Sequence, residues 1–505
     1  MTFTENRNGG TFTRRICALL LFVAILAVTV LCFSGGISGN DFWWHIKVGE
    51  WVVEHGRIPT TDIFSWYGTE AGIKWTAHEW LADVLFYMIY SLCGETGVFA
   101  FGLLAALVMT FLMYAETRDY VHRNYIVGGI FLLLFSVVTS AFFYGRPHVF
   151  GYFLLFAELK LLYGFYDDRK SKGIYFIPII TALWSNLHGG SSSLAYLLCI
   201  AFTLSALFDF SFGRLKAERF ACSDVLKLCC VTLGSVAGIL VNPIGTSVLI
   251  YPYVNLSDSL SMSFISEWQA PDAKSAGVLI LFFLPIALIT LGMLCCESRL
   301  RLIDLIIMCA FLMLFFRSAR FIVLWYIAAV FYGFRYLPEI KVKEITKRGE
   351  KILVCATVVL VTVPLFWGIS GIVKTHREGA LVSTVMSDDA VEAVKKDSPE
   401  RILNDYNLGE ALIFNDVHVF VDSRADLYAE NVLADYLSLT YLTPTGEGNT
   451  SEYVDVDGMI KKYGFDSVLI LKSRALYSYI MNCPEKFELL YQDDQLGYFR
   501  IKEGN

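Results

Sequence analysis

Long apolar segments alternate with short polar linkers over most of the chain. Twelve apolar segments stand out, at 16–34, 80–93, 97–114, 125–143, 149–166, 174–187, 192–209, 225–241, 277–296, 302–316, 320–337 and 351–373. A helix of roughly 20 apolar residues is long enough to cross a bilayer. The pattern therefore predicts an α-helical polytopic membrane protein with about 11 to 13 spans.

The pattern changes after about residue 374, where the sequence becomes polar and mixed. Runs rich in β-branched and aromatic residues predict strands at 401–405, 419–423, 467–471 and 487–501. Two helices are predicted between them, at 457–464 and 475–482. A tail of this length can form a small α/β domain.

Four regions follow from these patterns. We expect an N-terminus with the first span (1–35), a first extracytoplasmic loop with an interfacial helix (36–79), a transmembrane bundle (80–373) and an extracytoplasmic α/β domain (374–505).

The distribution of lysine and arginine predicts the orientation. The linkers 167–173, 211–219, 297–301 and 335–351 are basic, whereas 144–148, 186–193, 242–272 and 316–320 contain few lysines. Basic linkers stay in the cytoplasm, so we expect the second set and the tail outside. For the later linkers to lie on these sides, residues 79–114 must cross the membrane once or three times. However, this region holds two apolar segments. The shorter one, 80–93, would lie in the interface or re-enter the bilayer.

Composition excludes several classes of protein. Of the 505 residues, 55% are hydrophobic and 18% charged, which is too apolar for an ordinary soluble chain. The net charge of −7 and the lack of a long basic run argue against nucleic acid binding. Most of the 12 cysteines fall in predicted spans and none forms a metal-spaced CxxC pair, so structural zinc is not expected.

The first polar loop contains an unusual pair of ionisable residues. If 41–55 is helical, Lys47, Glu50 and Glu54 share the solvated face, while Asp41 and His45 lie on the opposite, tryptophan-rich face. Ionisable groups on that face are costly unless they are paired or used in chemistry. The alternatives are an N-cap for Asp41 and an interfacial polar tip for His45.

Other polar residues mark span ends on the predicted outer side. They are His78, Glu79, Arg146, His148, Asn186, His188, Asn242, Glu267, Arg317 and Arg320. Guanidinium groups match phosphate oxygens, and a carboxylate can accept a proton from a hydroxyl or hold a divalent metal. Helix ends explain the asparagine and histidine residues equally well, and contact with lipid headgroups would explain the arginines.

Several short motifs match one family. The stretches DFWWH (41–45), RPHVF (146–150), LWSNLHGG (183–190), VNPIG (241–245), ISEWQAPD (265–272) and FVDSRADLYAE (420–430) resemble a family of bacterial polytopic proteins. That family is grouped with the GT-C superfamily of membrane glycosyltransferases. The resemblance covers nearly the whole chain.

The resemblance implies a mechanism. In the GT-C superfamily an acidic residue of the first loop acts as catalytic base or binds a divalent metal, and the sugar donor is a polyprenyl phosphate. Asp41 is the matching position, with Mg²⁺ or Mn²⁺ as the implied metal, and Asp62, His78 and Glu79 match further polar positions of that loop. The chain departs from the family in lacking a paired acid beside Asp41 and in its small tail.

The polar residues and the resemblance together give a candidate substrate-binding set. It comprises His45, Asp62, His78, Glu79, Arg146, His148, Asn186, His188, Asn242, Glu267, Arg317, Arg320, Asp422 and Arg424. In the tail, Asp422 and Arg424 would contact the substrate as part of a lid. A salt bridge at a strand end is the alternative for this pair.

We therefore expect a glycosyltransferase of the bacterial plasma membrane. It would transfer a hexose or pentose, with inversion, from a polyprenyl-phosphate donor to an extracytoplasmic glycan, lipid or protein. The alternatives are a flippase for a lipid-linked glycan and a non-catalytic assembly factor. Few charges lie within the predicted spans, namely Glu158, Lys160, Lys227 and Asp304, which favours surface chemistry over transport.

Overall fold

The structure, a computed structural model, describes residues 5–39, 41–338, 347–383, 385–429, 431–445 and 453–502. The chain divides into two compact units. The membrane unit comprises Met1–Ile37, Leu92–Asn242 and Glu267–Val382. The loop–tail unit comprises Ser38–Ser91, Pro243–Ser266 and Ser383–Asn505.

The apolar segments form helices close to the predicted bounds. The long helices are Glu5–Cys32, Trp80–Arg123, Tyr125–Phe142, His148–Asp167, Ile177–Leu187, Gly189–Ser205, Cys222–Ile239, Leu284–Cys295, Leu302–Arg317, Ile322–Tyr332 and Lys347–Arg377. In the described part of the chain, seven helical segments are long and apolar enough to cross a membrane, and three apolar helices are shorter. The prediction of an α-helical polytopic membrane protein is confirmed.

The segments 80–93 and 97–114 lie in the 44-residue helical segment Trp80–Arg123, which consists of two helices joined by a kink at Gly94. At 1.5 Å per residue a straight helix of this length would measure about 66 Å, well above one hydrocarbon core. The helix is interrupted at Gly94, where φ is 58° and ψ is −154°. Glycine adopts this positive φ without the steric cost that a Cβ atom brings.

One end of the membrane unit is marked by Glu267. Its carboxylate accepts hydrogen bonds from Arg146 at 3.0 Å, and its backbone carbonyl accepts one from Ser318 at 3.0 Å. The rings of His148 and His188 lie 6.4 Å apart. The lysine-poor linkers 144–148, 186–193 and 316–320 therefore contribute to this Glu267 end.

The opposite end of the same unit is marked by the buried Asp304. There Asp167 pairs with Arg301 at 2.6 Å, and Arg214 donates to the carbonyl of Met293 at 2.8 Å. The 20-residue helix His148–Asp167 separates the two ends by about 30 Å, the thickness of a hydrocarbon core. Three basic linkers thus share the Asp304 end, while residues 339–346 of the fourth lie outside the described part of the chain.

The tail contains the predicted small α/β fold. Its four-stranded sheet has the order Ile402–Asn404, Ser467–Leu471, Leu496–Ile501 and Phe487–Gln492, and the first pair is parallel. The tail helices are Asp388–Asp397, Gly409–Phe414, Ala425–Tyr428, Leu433–Tyr441, Val456–Tyr463 and Ala475–Met481. Short strand pieces elsewhere are Ile37–Ser38, Phe210–Phe212, Leu215–Ala217, Leu300–Arg301 and Val382–Ser383.

The prediction of a strand at 419–423 is wrong. This segment makes only an isolated bridge between Val419 and Ser65. Asn404 holds it instead, donating to the carbonyl of Val421 at 2.7 Å and accepting from the amide of Phe420 at 2.8 Å. Side-chain hydrogen bonds satisfy the backbone there in place of a strand ladder.

The first loop and the tail share one hydrophobic core. Trp44, Trp66 and Trp75 of the loop belong to the same buried cluster as the tail. Trp66 donates to the carbonyl of Ile402 at 3.1 Å and stacks on Phe420 with ring centroids 5.3 Å apart. The loop helices Phe42–His55 and Trp66–Ala71 are thereby fixed against the tail, as are Ser247–Ser257 and Ser259–Phe264 of the same unit.

Candidate active site

Asp41 stands at the start of the helix Phe42–His55 in the loop–tail unit. It occupies the N-cap position with helical angles, φ −58° and ψ −27°, and its side chain makes no capping hydrogen bond. The side chain of Asp41 therefore does not cap this helix. Its carboxylate instead has an electrostatic effect on two tail residues. Its negative charge raises the pKa values of Tyr406 and Glu410 beyond the effect of their burial.

Glu410 is a buried acid beside Asp41. Its Oε1 accepts a hydrogen bond from the amide of Ser423 at 2.9 Å, whereas its Oε2 has no hydrogen-bond partner among the described residues. Burial, together with the charges of Asp41 and Asp422, raises the pKa of Glu410 to about 8. Glu410 is therefore mostly protonated at neutral pH.

A second acid, Asp426, lies near the same group. Burial raises the pKa of Asp426 to about 6, although Arg424 favours its ionised form. A hydrogen bond joins Asp426 to the hydroxyl of Tyr251. The ring of Tyr251 lies 3.9 Å from that of His78.

His78 is neutral at neutral pH, because burial lowers its pKa to about 4. Its Nδ1 lies 3.1 Å from the carbonyl oxygen of Thr76, so Nδ1 carries the proton and donates it. The acceptor nitrogen, Nε2, then faces Glu79 at 3.6 Å. This places the predicted residues His78 and Glu79 side by side.

The side chain of His45 forms a buried pair with Asp83. Its Nδ1 lies 2.7 Å from the carboxylate of Asp83, and both side chains are almost inaccessible. Glu79 lies 4.0 Å from Nε2 of the same ring. The helix Phe42–His55 comes close here because Gly49 has no Cβ atom, which would stand 2.1 Å from the carbonyl oxygen of Asp83.

Arg424 joins the first loop to the tail. It pairs with Asp62 at 2.9 Å and forms a two-pronged contact with Asp422 at 2.9 and 2.7 Å. Tyr428 donates to Asp422 at 2.6 Å, and the guanidinium lies over Trp75. Burial opposes ionisation of Asp62, but Arg424 outweighs it and lowers the pKa of Asp62. For Asp422 and Arg424, these contacts fit a salt bridge, which was the alternative to a substrate-binding lid. Asp62 is the third member of this salt bridge.

The membrane unit holds a second group of predicted residues. Arg146 and Arg320 share the carboxylate of Glu267, at 3.0 and 3.8 Å. Burial opposes ionisation of Glu267, but the two guanidinium groups lower its pKa to about 2. Arg146 also lies over the ring of Tyr144 and Arg320 over that of Trp268. The three charged groups together carry one net positive charge.

The remaining predicted residues lie at the Glu267 end of the membrane unit. His188 Nδ1 lies 2.5 Å from the hydroxyl of Ser191, and His148 Nε2 lies 2.8 Å from the carbonyl oxygen of Phe142. Asn186 and Asn242 tie helix ends together by donating to the carbonyls of Val241 and Ser185, respectively. Arg317 ends its helix and is exposed.

The predicted residues therefore form two groups, each within one unit. The loop–tail group contains Asp41, His45, Asp62, His78, Glu79, Asp422 and Arg424; the membrane group contains Arg146, His148, Asn186, His188, Asn242, Glu267, Arg317 and Arg320. The sequence prediction missed Asp83, Ser191, Tyr251, Glu410 and Asp426. Asp426 follows Arg424 closely in the chain, which could have identified it, whereas Glu410 lies in an unremarkable short helix.

The acids around Asp41 do not fit a metal site well. No three His, Cys, Asp or Glu side chains among the described residues lie close enough together to hold a metal ion. Asp422 is already paired with Arg424, so its oxygens are not free to bind a divalent metal.

No protein-family model matches the chain, and no curated protein matches it. Among solved structures, two of the Archaeoglobus fulgidus oligosaccharyltransferase are similar. AglB in complex with an inhibitory peptide and a dolichol-phosphate is 10% identical with a TM-score of 0.50, covering 90% of this chain and 69% of AglB. The complex with Zn and sulfate is 11% identical with a TM-score of 0.51, covering 90% and 68%.

ArnT from Cupriavidus metallidurans, bound to undecaprenyl phosphate, is 14% identical with a TM-score of 0.47, covering 95% of this chain and 97% of ArnT. The fold argument rests on the two oligosaccharyltransferase structures, whose similarity extends over nine tenths of this chain. The predicted resemblance is confirmed at the level of fold: the chain shares its fold with these two oligosaccharyltransferase structures.

Proposed function

We propose that the chain is a glycosyltransferase that moves a sugar from a polyprenyl-phosphate donor to an extracytoplasmic glycan, lipid or protein. The observation that carries this proposal is the group of acids around Asp41, on a fold shared with oligosaccharyltransferases. A buried carboxyl group with a raised pKa beside a second carboxyl group is a common arrangement for acid–base chemistry.

In this mechanism Asp41 accepts the proton of the attacking hydroxyl. Like charges in close proximity disfavour double ionisation, and the raised pKa of Glu410 keeps the proton on Glu410. In the proposal, Asp41 is the member of the pair that acts as the base. Since the acids fit a metal poorly, no step is assigned to Mg²⁺ or Mn²⁺.

Within the membrane unit, we assign the binding of the lipid phosphate to Arg146 and Arg320. With their shared partner Glu267, the two guanidinium groups carry one net positive charge. The donor phosphodiester has one negative charge, and the leaving phosphate gains a second when its bond to the sugar breaks, so a cationic group binds the leaving phosphate more strongly than the intact donor. Stabilising the charge that develops on the leaving group is usually the largest catalytic contribution. His78, Glu79 and His188 contribute polar groups that bind substrate.

The proposal includes an orientation in the bacterial plasma membrane. The basic linkers at the Asp304 end lie in the cytoplasm, and the tail is extracytoplasmic, as the positive-inside rule requires.

The test compares Asp41→Asn with Asp416→Asn in a strain lacking the native copy. Asp416 is an exposed acid of the same unit with φ 60°, a conformation that asparagine tolerates well. At equal protein level, Asp41→Asn should lower glycan transfer by roughly 100-fold or more, as loss of a general base does. Mass spectrometry of the surface glycans measures transfer.

Activity of Asp41→Asn equal to that of Asp416→Asn would contradict the proposed base. A glycan whose mass is unchanged by deletion of the protein, but which no longer reaches the surface, would favour the flippase instead.

A further inference from the structure

A β-hairpin lies at the Asp304 end of the membrane unit. It follows the helix Gly189–Ser205 and pairs the strands Phe210–Phe212 and Leu215–Ala217 in antiparallel register. The turn between the strands has two residues, and the first of them, Gly213, has the positive φ, 57°, that such turns favour. The proposed chemistry makes no use of this hairpin.

Contacts with neighbouring segments hold the hairpin in place. Arg214 donates hydrogen bonds to the carbonyls of Met293 and Leu294 at 2.8 and 2.7 Å. The strand Leu215–Ala217 also pairs in parallel with Leu300–Arg301. These contacts fix the position of the hairpin relative to the membrane helices.

One face of the hairpin is aromatic and exposed. Phe210 and Phe212 point to the same side of their strand, because side chains alternate between the two faces. Phe212 is 80% exposed, and Phe208, just before the strand, is 51% exposed. Clustered exposed apolar side chains mark a surface that contacts another apolar phase, so this face needs an apolar neighbour.

The aromatic face continues an apolar stripe of the preceding helix. The exposed large apolar side chains of Gly189–Ser205 are spaced three and four residues apart and so share one helix face: Leu197, Ile200 and Leu204. Leu207 and Phe208 extend this exposed series from the helix to the hairpin. In a membrane protein, an exposed apolar helix face is the face in contact with lipid.

The helix Gly189–Ser205 is short for a membrane span. Its 17 residues measure about 26 Å, whereas a hydrocarbon core is about 30 Å thick. Flanking residues can compensate for such a mismatch at the membrane interface. The hairpin supplies additional apolar surface at the level where this helix ends.

We propose that the hairpin inserts Phe208, Phe210 and Phe212 into the lipid leaflet at the Asp304 end, at the boundary between headgroups and acyl chains. Aromatic side chains are well suited to this depth. Lipid is favoured over a protein partner because the aromatic face is continuous with the lipid-facing stripe of the helix. The inference is independent of the proposed transferase chemistry.

The test uses the full chain in vesicles of phosphatidylethanolamine and phosphatidylglycerol. The variant Phe212→p-benzoylphenylalanine carries a photoreactive ring, and Tyr453→p-benzoylphenylalanine is the matched control, at a tail position that is 78% exposed. Mass spectrometry after illumination measures the lipid adducts. Position 212 should give roughly tenfold more lipid adduct than position 453, since transfer from water to an apolar phase favours a phenyl ring by about that factor.

A second measurement reports depth. The tryptophan fluorescence that Phe212→Trp adds to the wild-type signal should be quenched more strongly by lipids brominated near the headgroup than by an aqueous quencher, and Tyr453→Trp should show the reverse order. Equal lipid adducts at the two positions, or quenching of Phe212→Trp mainly from the aqueous phase, would overturn the proposal. So would a crosslink from position 212 to another protein or to a second copy of the chain, since that would identify a protein-binding face.

Discussion

Glu410 illustrates how a single buried carboxyl can depend on residues far away in the sequence. Its Oε2 has no hydrogen-bond partner in the described part of the chain, and its neighbours Asp41 and Asp422 are both acids. An uncompensated buried charge is costly, so the group keeps its proton instead. The cost of ionising Glu410 should be measurable as a pH-dependent loss of stability.

The folded chain keeps the proton on Glu410 up to a pKa of about 8, whereas an unfolded glutamate releases it near about 4.3. Between these values the unfolded state binds fewer protons, so Glu410 lowers stability as pH rises, by up to about 1.4 kcal/mol per pH unit. Glu410→Gln removes this contribution, and its melting temperature relative to wild type should increase from pH 6 to pH 9. Glu488→Gln, at an exposed position, is the control. A difference that stays constant over this range would show that Glu410 does not titrate there.

At the scale of elements, the sequence predicts long helices well and short ones poorly. The segments 125–143 and 149–166 correspond to helices Tyr125–Phe142 and His148–Asp167, because about 20 apolar residues have few alternatives to a membrane helix. The helices Ser247–Ser257 and Ser259–Phe264 were not predicted, since short helices depend on tertiary packing more than on local pattern.

The site residues also divide into those that the sequence predicts and those that it does not. Asp41, His78 and Glu79 could be selected because they interrupt apolar surroundings at span ends. Glu410 could not, because its burial depends on contacts with residues near position 41, more than 300 residues away in the sequence. The pairing of Arg424 with Asp62 was likewise missed, since each residue has an ordinary local explanation as a turn or strand end.

Arg424 is the electrostatic connection between the first-loop segment at Asp62 and the tail segment at Asp422. Replacing it by glutamine leaves two buried carboxylates without their cation, which should cost about 3 to 5 kcal/mol of unfolding free energy. The melting temperature of purified Arg424→Gln should therefore fall strongly. Arg500→Gln removes a half-exposed arginine of the same tail and should change it little. Equal melting temperatures for the two variants would refute this role of Arg424.

For the whole molecule, the separation of basic and lysine-poor linkers at opposite ends of the membrane unit predicts its orientation. Alkaline phosphatase folds actively only outside the cytoplasm, so a fusion after Asn505 should be active and a fusion truncated after Lys170 should be inactive. Enzyme activity at equal fusion level is the measurement. Activity in the reverse order would place the tail in the cytoplasm and exclude the proposed extracytoplasmic transfer.

The shared core of the first loop and the tail has a consequence for biosynthesis. Roughly 290 residues separate Ser91 from Ser383, so at a usual translation rate the loop waits about 15 to 60 seconds before its partner is made. During that interval Trp66 and Trp75 remain uncovered and Asp62 has no cation. Nascent chains stalled in this window are the form most exposed to chaperones and proteases at the membrane surface.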